Sequence, residues 1–291
     1  MRKAFEPKVS IVTGAASGIG RAIAAELVAR GSHVVVADLD AEGAARAAAE
    51  LGPRASAATL DVADAAAVTA LVRRVADEHG RLDVMVNNAG IAIGGLLEEL
   101  DERHWSKALD VNLRGVVNGV TAAYEVMRTQ GSGHILNTAS LAGLIPAPAM
   151  LPYTTTKHAV VGLSTALRAE AASQGVRVSV LCPGFVDTPL LDDVYAAPDS
   201  FGGSSVRARV RMLQPRFLTA EQTAKTAVAG LAANKAVIPV GFLAHLMWRL
   251  LRYAPPVARA VIQGQATGHR RLNERAAAKA ARSTGARQTP Q

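Results

Sequence analysis

Short apolar runs and longer segments with helical periodicity alternate along most of this chain. The short runs are rich in Val, Ile and Ala and have the length of buried strands, whereas the longer segments place apolar residues three to four positions apart. Strands are predicted at 9–13, 31–38, 55–60, 82–86, 134–138, 176–181 and 236–240, and helices at 21–30, 65–79, 102–129, 153–173 and 219–234. Repeated β-α-β units predict an α/β fold with a doubly wound parallel sheet in three α/β/α layers.

The composition fits one large domain with an aliphatic core. Of the 291 residues, 49% are hydrophobic but only 4% are aromatic. The single cysteine, Cys182, excludes an intramolecular disulfide and favours a reducing compartment. The first eight residues contain no apolar run of a secretory signal, so a cytoplasmic protein is expected. We predict one domain over 1–240, because no repeat or shift in composition precedes residue 187, and an extension over 241–291.

The net charge of +8 is unevenly distributed. Residues 269–291 contain six Lys or Arg and one Glu, so this basic tail contributes +5. Such a tail is typically solvated, and attraction to an anionic membrane surface is the alternative. Nucleic-acid binding is not expected, because the charges are not interleaved with stacking aromatics. No metal site is expected either, since His, Asp and Cys show no ligand spacing.

A glycine-rich segment joins the first predicted strand to the first predicted helix. It has the spacing T-G-x-x-x-G-x-G, with Gly14, Gly18 and Gly20. A strand, a glycine loop and a helix in this order can receive a pyrophosphate on the helix N-terminus. The alternative is that the glycines only make a tight turn.

An acidic residue ends the second predicted strand. Asp38 lies 18 residues after Gly20, close to where a carboxylate contacts the adenosine ribose of a bound dinucleotide. The same carboxylate would repel a 2′-phosphate, and neither Ser17 nor Leu39 is basic. NAD is therefore favoured over NADP, although a solvated Asp at a strand end is the simpler alternative.

Tyr153 and Lys157 stand four positions apart in a predicted helix, so they share one face. An ammonium beside a phenol favours the phenolate and is expected to lower its pKa. Tyr153 could then exchange a proton with a substrate hydroxyl or carbonyl oxygen. A Tyr and a Lys also fall at this spacing by chance in many helices, so the pair alone is weak evidence.

Three further motifs follow the glycine loop in the chain: Asp61-Val62, Asn87-Asn88-Ala89-Gly90 and Pro183-Gly184-Phe185-Val186-Asp187-Thr188. With these motifs in this order, residues 7–240 resemble the classical short-chain dehydrogenase/reductase family, which implies a Rossmann-type sheet. Asn112, Ser140, Tyr153 and Lys157 match its catalytic tetrad. The cofactor-binding residues that the resemblance implies are Gly14, Ser17, Gly18, Ile19, Gly20, Asp38, Leu39, Asp61, Val62, Asn88, Ala89, Gly90, Tyr153, Lys157, Pro183, Gly184, Val186 and Thr188. A homodimer or homotetramer is also implied.

The resemblance assigns each tetrad residue a role in hydride transfer with NAD. Ser140 would hold the substrate oxygen, and Tyr153 would be the general acid or base. Lys157 would act through its charge and by bonds to the nicotinamide ribose, while Asn112 would support a water. An NADPH-dependent ketoreductase and a non-catalytic dinucleotide-binding regulator are the alternatives. Asp38 argues against the first, and retention of Ser140 and Tyr153 argues against the second.

The segment 187–220 corresponds to the family's mobile substrate lid. It contains Pro189, Pro198, Gly202, Gly203 and Pro215 between apolar clusters such as Leu190-Leu191 and Met212-Leu213. This apolar content, with Leu144, Ile145, Met150 and Leu151 ahead of Tyr153, favours a hydrophobic substrate that is steroid-, lipid- or terpenoid-like. Packing between subunits is the alternative explanation.

The extension begins with an apolar stretch at 241–253. Arg249 and Arg252 interrupt it and Pro255-Pro256 ends it, so it is not a membrane-spanning helix. Three interpretations remain open: a cap over the substrate pocket, a surface that packs on a second subunit, or a helix in a membrane interface.

Overall fold

The computed structural model describes residues 5–196, 207, 210–211, 214 and 216–285. Seven parallel strands form the main sheet, in the order β3-β2-β1-β4-β6-β7-β9. They are β1 (Val9–Thr13), β2 (His33–Asp38), β3 (Ala55–Thr59), β4 (Val84–Asn87), β6 (Gly133–Thr138), β7 (Val176–Pro183) and β9 (Val237–Val240). Two short strands, β5 (Ile93–Gly94) and β8 (Tyr195–Ala196), pair with each other in a second small sheet.

Helices cover both faces of the main sheet. They are α1 (Gly18–Val28), α2 (Ala41–Leu51), α3 (Ala65–His79), α4 (Glu102–Ala108), α5 (Gly115–Gln130), α6 (Leu151–Ala171) and α7 (Ala220–Ala232). Strand side chains alternate between the faces, so Ile11 packs with α3 and α5 residues, and Val12 packs with α1 and α7 residues. The predicted α/β/α layering and its seven strands are confirmed.

The strand order reverses between β1 and β4, and this reversal positions the site. In open α/β sheets, ligands bind beyond the carboxyl ends of the strands at such a point. The glycine loop follows β1 there, and residues 88–90 follow β4. The two loops are hydrogen-bonded to each other, as described below.

The predicted helix at 102–129 has a different local geometry in its middle. A π-helical segment, Leu109–Arg114, separates α4 from α5 while the chain stays helical. Its wider turn carries the buried Asn112, whose amide bonds to the backbone of Ile91. Because this bond joins residues 21 positions apart, helical periodicity alone does not reveal the π-helical turn and predicts a plain α-helix instead.

Two further helices, α8 (Phe242–Tyr253) and α9 (Pro255–Gly285), form the extension. Pro255 lies at the start of α9, where a missing N–H costs nothing, so the residue that ends one helix starts the next. Helix α9 also includes the first part of the basic tail, from residue 269 to Gly285. No helix among the described residues is long and apolar enough to cross a membrane.

The extension packs on the main domain through α8. Ala244 and Met247 are buried against Leu141 and Ile145, and Leu243, Leu250 and Leu251 of α8 surround this contact. Arg270 of α9 forms an ion pair with Glu98 (2.7 Å).

In the predicted lid, Pro198, Gly202, Gly203, Met212, Leu213 and Pro215 lie outside the described residues, as does the end of the tail at 286–291.

Candidate active site

The glycine loop closes tightly onto the start of α1. Gly14 and Gly18 have φ values of 62° and 55°, which side chains disfavour. A Cβ on Gly20 would lie 2.2 Å from the carbonyl oxygen of Gly14, so only glycine fits. Ser17, the N-cap of α1, makes no side-chain bond to the helix. The N–H groups in the first turn of α1 are therefore not capped by the Ser17 side chain. Since such N–H groups can bind an anion, the loop fits a pyrophosphate.

The loop after β4 holds the glycine loop in place. The Asn88 side-chain amide donates to the carbonyl oxygens of Thr13 and Gly14, both at 3.1 Å. Thr13 Oγ1 accepts the backbone N–H groups of Asn88 (3.0 Å) and Ala89 (3.1 Å). Because all its described bonds go to the glycine loop, the Asn88 side chain supports the cofactor site from behind.

Two acidic residues lie at the carboxyl ends of β2 and β3. The Asp38 carboxylate accepts the backbone N–H of Ala16 (2.9 Å) within the glycine loop, which fixes it at the rim of the site. The neighbouring Leu39 is 69% exposed and offers an apolar surface there. Asp61 accepts the N–H of Ala63 in its own turn (2.9 Å), and the adjoining Val62 is buried against Gly115. Asp38 thus contacts the glycine loop directly, whereas Asp61 shapes a turn.

The tetrad residues Ser140, Tyr153 and Lys157 come together at the start of α6. Pro152 lies in the first turn of this helix, where proline is favoured. The side chains of Tyr153 and Ser140 are hydrogen-bond partners. Lys157 Nζ lies 5.5 Å from the centre of the Tyr153 ring and donates to the Thr138 carbonyl oxygen at 3.0 Å. The predicted face of α6 is therefore present and buried.

Asn112 reaches the same place from the π-helical segment. Its amide oxygen accepts the N–H of Ile91 (2.8 Å), and its nitrogen donates to the Ile91 carbonyl (2.9 Å). A Cβ on Gly90 would lie 3.0 Å from Asn112 Oδ1 and 3.4 Å from Lys157 Nζ. Asn112 thus holds the loop at Gly90 next to Lys157. This positioning role is additional to the predicted role of Asn112 in supporting a water.

Burial shifts the pKa values of three titratable groups around the tetrad. It raises the pKa of Tyr153 above the ordinary phenol value, with the Ser140 hydrogen bond opposing it. It lowers the pKa of Lys157 to about 8 and raises that of Cys182 to about 12. The sequence-based expectation of a lowered Tyr153 pKa is wrong for this structure, because burial outweighs the opposing effects. Cys182 is a buried neutral thiol beneath the site.

The segment after β7 leads across the glycine loop. The Gly184 N–H donates to Val240 (3.0 Å), and Val186 forms a parallel bridge with Leu218. A Cβ on Gly18 would lie 3.2 Å from Cγ2 of Thr188, so Thr188 covers the loop at close range. Pro183 is the last residue of β7, and the segment that covers the glycine loop begins directly after it.

Sequence reasoning missed Arg207, which ties this segment together. Its guanidinium donates twice to the Asp192 carboxylate (2.8 and 2.6 Å), once to Asp187, and to the Thr188 carbonyl (3.2 Å). Its side chain is only 25% exposed. The acids lie 15 and 20 positions away in the sequence, so no local spacing indicates these contacts.

Known proteins similar to this chain have been found by sequence and by structure. The family model described as short chain dehydrogenase matches residues 8–199. Cis-4-hydroxycyclohexanecarboxylate dehydrogenase of Sinomonas cyclohexanicum is 39% identical over 83% of this chain and 95% of that protein. The monensin polyketide synthase putative ketoacyl reductase of Streptomyces virginiae is 37% identical over 75% and 87%. A short-chain dehydrogenase/reductase from Burkholderia phymatum, solved with NAD, aligns with a TM-score of 0.78 at 32% identity over 88% and 96%.

Proposed function

This chain belongs to the short-chain dehydrogenase/reductase family, and on that premise we propose that it is an NAD-dependent oxidoreductase acting on a secondary alcohol or ketone. The substrate we propose is hydrophobic and steroid-, lipid- or terpenoid-like. One observation carries the proposal: Ser140, Tyr153 and Lys157 meet at the start of α6. They lie at the same edge of the sheet as the glycine loop, beyond the carboxyl ends of the strands.

The residues present fit a nicotinamide dinucleotide. The uncapped first turn of α1 would hold the pyrophosphate, and Asp38 would accept the adenosine ribose hydroxyls. Lys157 would bond the nicotinamide ribose, next to the Gly90 loop. When bound, this cofactor accepts or supplies the hydride.

Asp38 supports NAD over NADP through its charge. Two arginines of α1 and α2 that could offset this charge are already paired, Arg21 with Glu50 and Arg46 with Asp40 and Glu42. A 2′-phosphate would meet the Asp38 carboxylate, which is fixed by the Ala16 N–H and would repel it. The solved relative from Burkholderia phymatum was crystallised with NAD.

The chain's own groups supply the proton transfer. Ser140 and Tyr153 would bind the substrate oxygen together, since their side chains are hydrogen-bond partners. In oxidation, Tyr153 as the phenolate would take the hydroxyl proton while the hydrogen on the carbinol carbon went as hydride to the bound dinucleotide. In reduction, Tyr153 as the phenol would give its proton to the carbonyl oxygen.

An apolar wall supports the proposed substrate class. Leu141, Leu144 and Ile145 follow Ser140 directly in the chain, and α8 packs behind them. In this proposal the wall borders the substrate, where it would favour contact with hydrophobic surface and would exclude water from the reacting oxygen. A small, strongly polar alcohol would make few apolar contacts with this wall.

Ketone reduction is the second candidate, and one observation favours it. Burial raises the pKa of Tyr153, a direction that favours the phenol over the phenolate, and the phenol is the form that gives a proton to a carbonyl oxygen. The Streptomyces virginiae relative is named as a putative ketoacyl reductase. Rates in both directions with all four nicotinamide forms distinguish the two candidates.

The test is steady-state turnover of bulky and small secondary alcohols with NAD and NADP, comparing wild type with Tyr153→Phe and Tyr124→Phe. Tyr124 is a partly buried tyrosine of α5 and serves as the matched control. We expect turnover of bulky alcohols with NAD, a loss of at least a hundredfold in Tyr153→Phe, and none in Tyr124→Phe. NADH binding without turnover in either direction would instead indicate a non-catalytic dinucleotide-binding regulator.

The homodimer or homotetramer implied by the family resemblance stays a prediction. Sedimentation equilibrium of the full chain would check it, and a monomer at assay concentrations would contradict it.

A further inference from the structure

The extension exposes large apolar side chains. Phe242 and Tyr253 of α8 are 81% and 80% exposed, and Leu246 lies between them in the helix and is also exposed. Val257 and Val261 continue the exposure into the first turns of α9. Positions 242, 246 and 253 fall on one side of α8, opposite to Ala244 and Met247, which are buried on the main domain. Exposed apolar groups clustered in this way mark an interaction surface.

Positive charges accompany these apolar groups. We call the following residues the outer face: Phe242, Leu246, Arg249, Arg252, Tyr253, Val257, Arg259 and Val261. All eight are exposed, and Arg249 lies between Leu246 and Tyr253 on the same side of α8. The sequence contains no Asp or Glu between positions 241 and 273. The outer face is therefore apolar and uniformly cationic.

This charge pattern decides between two occupants. A second copy placed symmetrically on the outer face would bring arginines against arginines, with no acid between positions 241 and 273 of either copy to neutralise them. An anionic bilayer surface neutralises the arginines and accepts the apolar side chains at the boundary of headgroups and acyl chains. Tyr and Arg are favoured at this depth, because each has an apolar body and a polar end.

Contacts with the main domain leave the outer face of the extension exposed. Met247 and Ala244 fix α8 on Leu141 and Ile145, and Arg270 fixes α9 to Glu98. The same α8 thus has one side against the wall that follows Ser140 and the other side exposed. A surface that bound the outer face would lie one helix away from the substrate wall.

We propose that the outer face binds the surface of an anionic phospholipid bilayer. The interaction is peripheral: the apolar side chains enter the interface, and the arginines contact lipid phosphates. It goes beyond the oxidoreductase activity and does not depend on it, because no tetrad residue takes part.

The experiment is co-sedimentation of the full chain with vesicles of phosphatidylcholine alone and of phosphatidylcholine mixed with phosphatidylglycerol. Wild type is compared with the double variants Arg249→Gln/Arg252→Gln and Phe242→Ser/Tyr253→Ser. Matched controls change exposed residues elsewhere, Arg54→Gln/Arg128→Gln for charge and Leu97→Ser for exposed apolar surface. NADH binding by each variant reports that the main domain is intact.

We expect wild type to bind the mixed vesicles and not phosphatidylcholine alone, and to be released by salt. The arginine variant should lose roughly thirtyfold in partition coefficient, and the aromatic variant at least about tenfold. The controls should bind like wild type. Failure of wild type to bind, or equal losses in controls and outer-face variants, overturns the proposal. An outer-face variant that dissociates an oligomer without affecting vesicle binding overturns it in favour of a second copy.

Discussion

Asp38 carries the choice between NAD and NADP in the proposed site. Its carboxylate is fixed by the N–H of Ala16 in the glycine loop, so it cannot turn away from a 2′-phosphate without losing that bond. We predict that Asp38→Ala lowers the ratio of kcat/KM with NAD to that with NADP by at least about tenfold, because like charges at a shared site cost several kcal/mol. Steady-state rates with both cofactors measure this ratio.

Asp64→Asn is the control for this substitution. Asp64 caps α3 by accepting the N–H groups of Ala66 and Ala67 and, among the described residues, makes no hydrogen bond to the glycine loop. Asn keeps the capping oxygen, so this variant removes one negative charge away from the site. The cofactor ratio of Asp64→Asn should equal that of wild type. An unchanged ratio in Asp38→Ala would remove Asp38 from the ribose contact.

Lys157 gives cofactor binding a pH dependence. Burial lowers its pKa to about 8, so it is an ammonium below that pH and a neutral amine above it. The ammonium attracts the anionic dinucleotide and the amine does not, so affinity is present below about pH 8 and lost above it. We predict that the Kd of NADH is constant near neutral pH and rises up to about tenfold per pH unit above 8.

Fluorescence titration of NADH across this pH range measures the effect, with Lys157→Met as the reference. The variant should bind more weakly and show no step near pH 8. A wild-type Kd that stays constant through this range would mean that the Lys157 charge does not contribute to binding.

At the scale of elements, the segment that follows β7 depends on Arg207 for its conformation. The guanidinium joins Asp187, Asp192 and the Thr188 carbonyl, and the ion pair holds the pKa of Asp192 below its usual range. Thr188 in turn lies over Gly18 of the glycine loop. Arg207 therefore acts through Thr188 and is a positioning residue for the cofactor.

We predict that Arg207→Met raises KM for NAD roughly tenfold with a smaller change in kcat, since three charge-assisted contacts to this segment are lost. Arg207→Lys should recover only part of the effect, because an ammonium cannot reproduce the fork on Asp192 while reaching Asp187. Initial-rate kinetics with varied NAD separate KM from kcat. Arg73→Met, which removes an exposed pair with Glu125, is the matched control. Equal KM values in Arg207→Met and Arg73→Met would contradict the assignment.

At the scale of the whole molecule, the sequence predicts what local patterns and fixed spacings encode. The seven strands follow from runs such as Val34-Val35-Val36, and the tetrad follows from the family resemblance that Ser140, Tyr153 and Lys157 help to carry. The π-helical segment at Asn112 and the ion pairs of Arg207 depend on contacts between distant positions, so periodicity does not reveal them. The direction of the Tyr153 pKa shift depends on burial, which only the assembled fold determines.

Helix α8 lies between the proposed substrate wall and the outer face, and two adjacent residues of α8 belong to different sides. Met247 is buried against Leu141 and Ile145, whereas Leu246 points away and is 45% exposed. A carboxylate at Met247 cannot remain buried without a partner, so α8 must move from the wall that follows Ser140.

We predict that Met247→Asp raises KM for bulky hydrophobic alcohols at least about tenfold and leaves KM for NAD nearly unchanged, because the substrate wall loses its backing while the glycine loop does not. Leu246→Asp, assayed without lipid, should match wild type in both constants. Kinetics with a bulky and a small alcohol measure the difference, and circular dichroism confirms that both variants fold. If Met247→Asp affected bulky and small substrates equally, α8 would stabilise the domain in general and have no special part in the substrate wall.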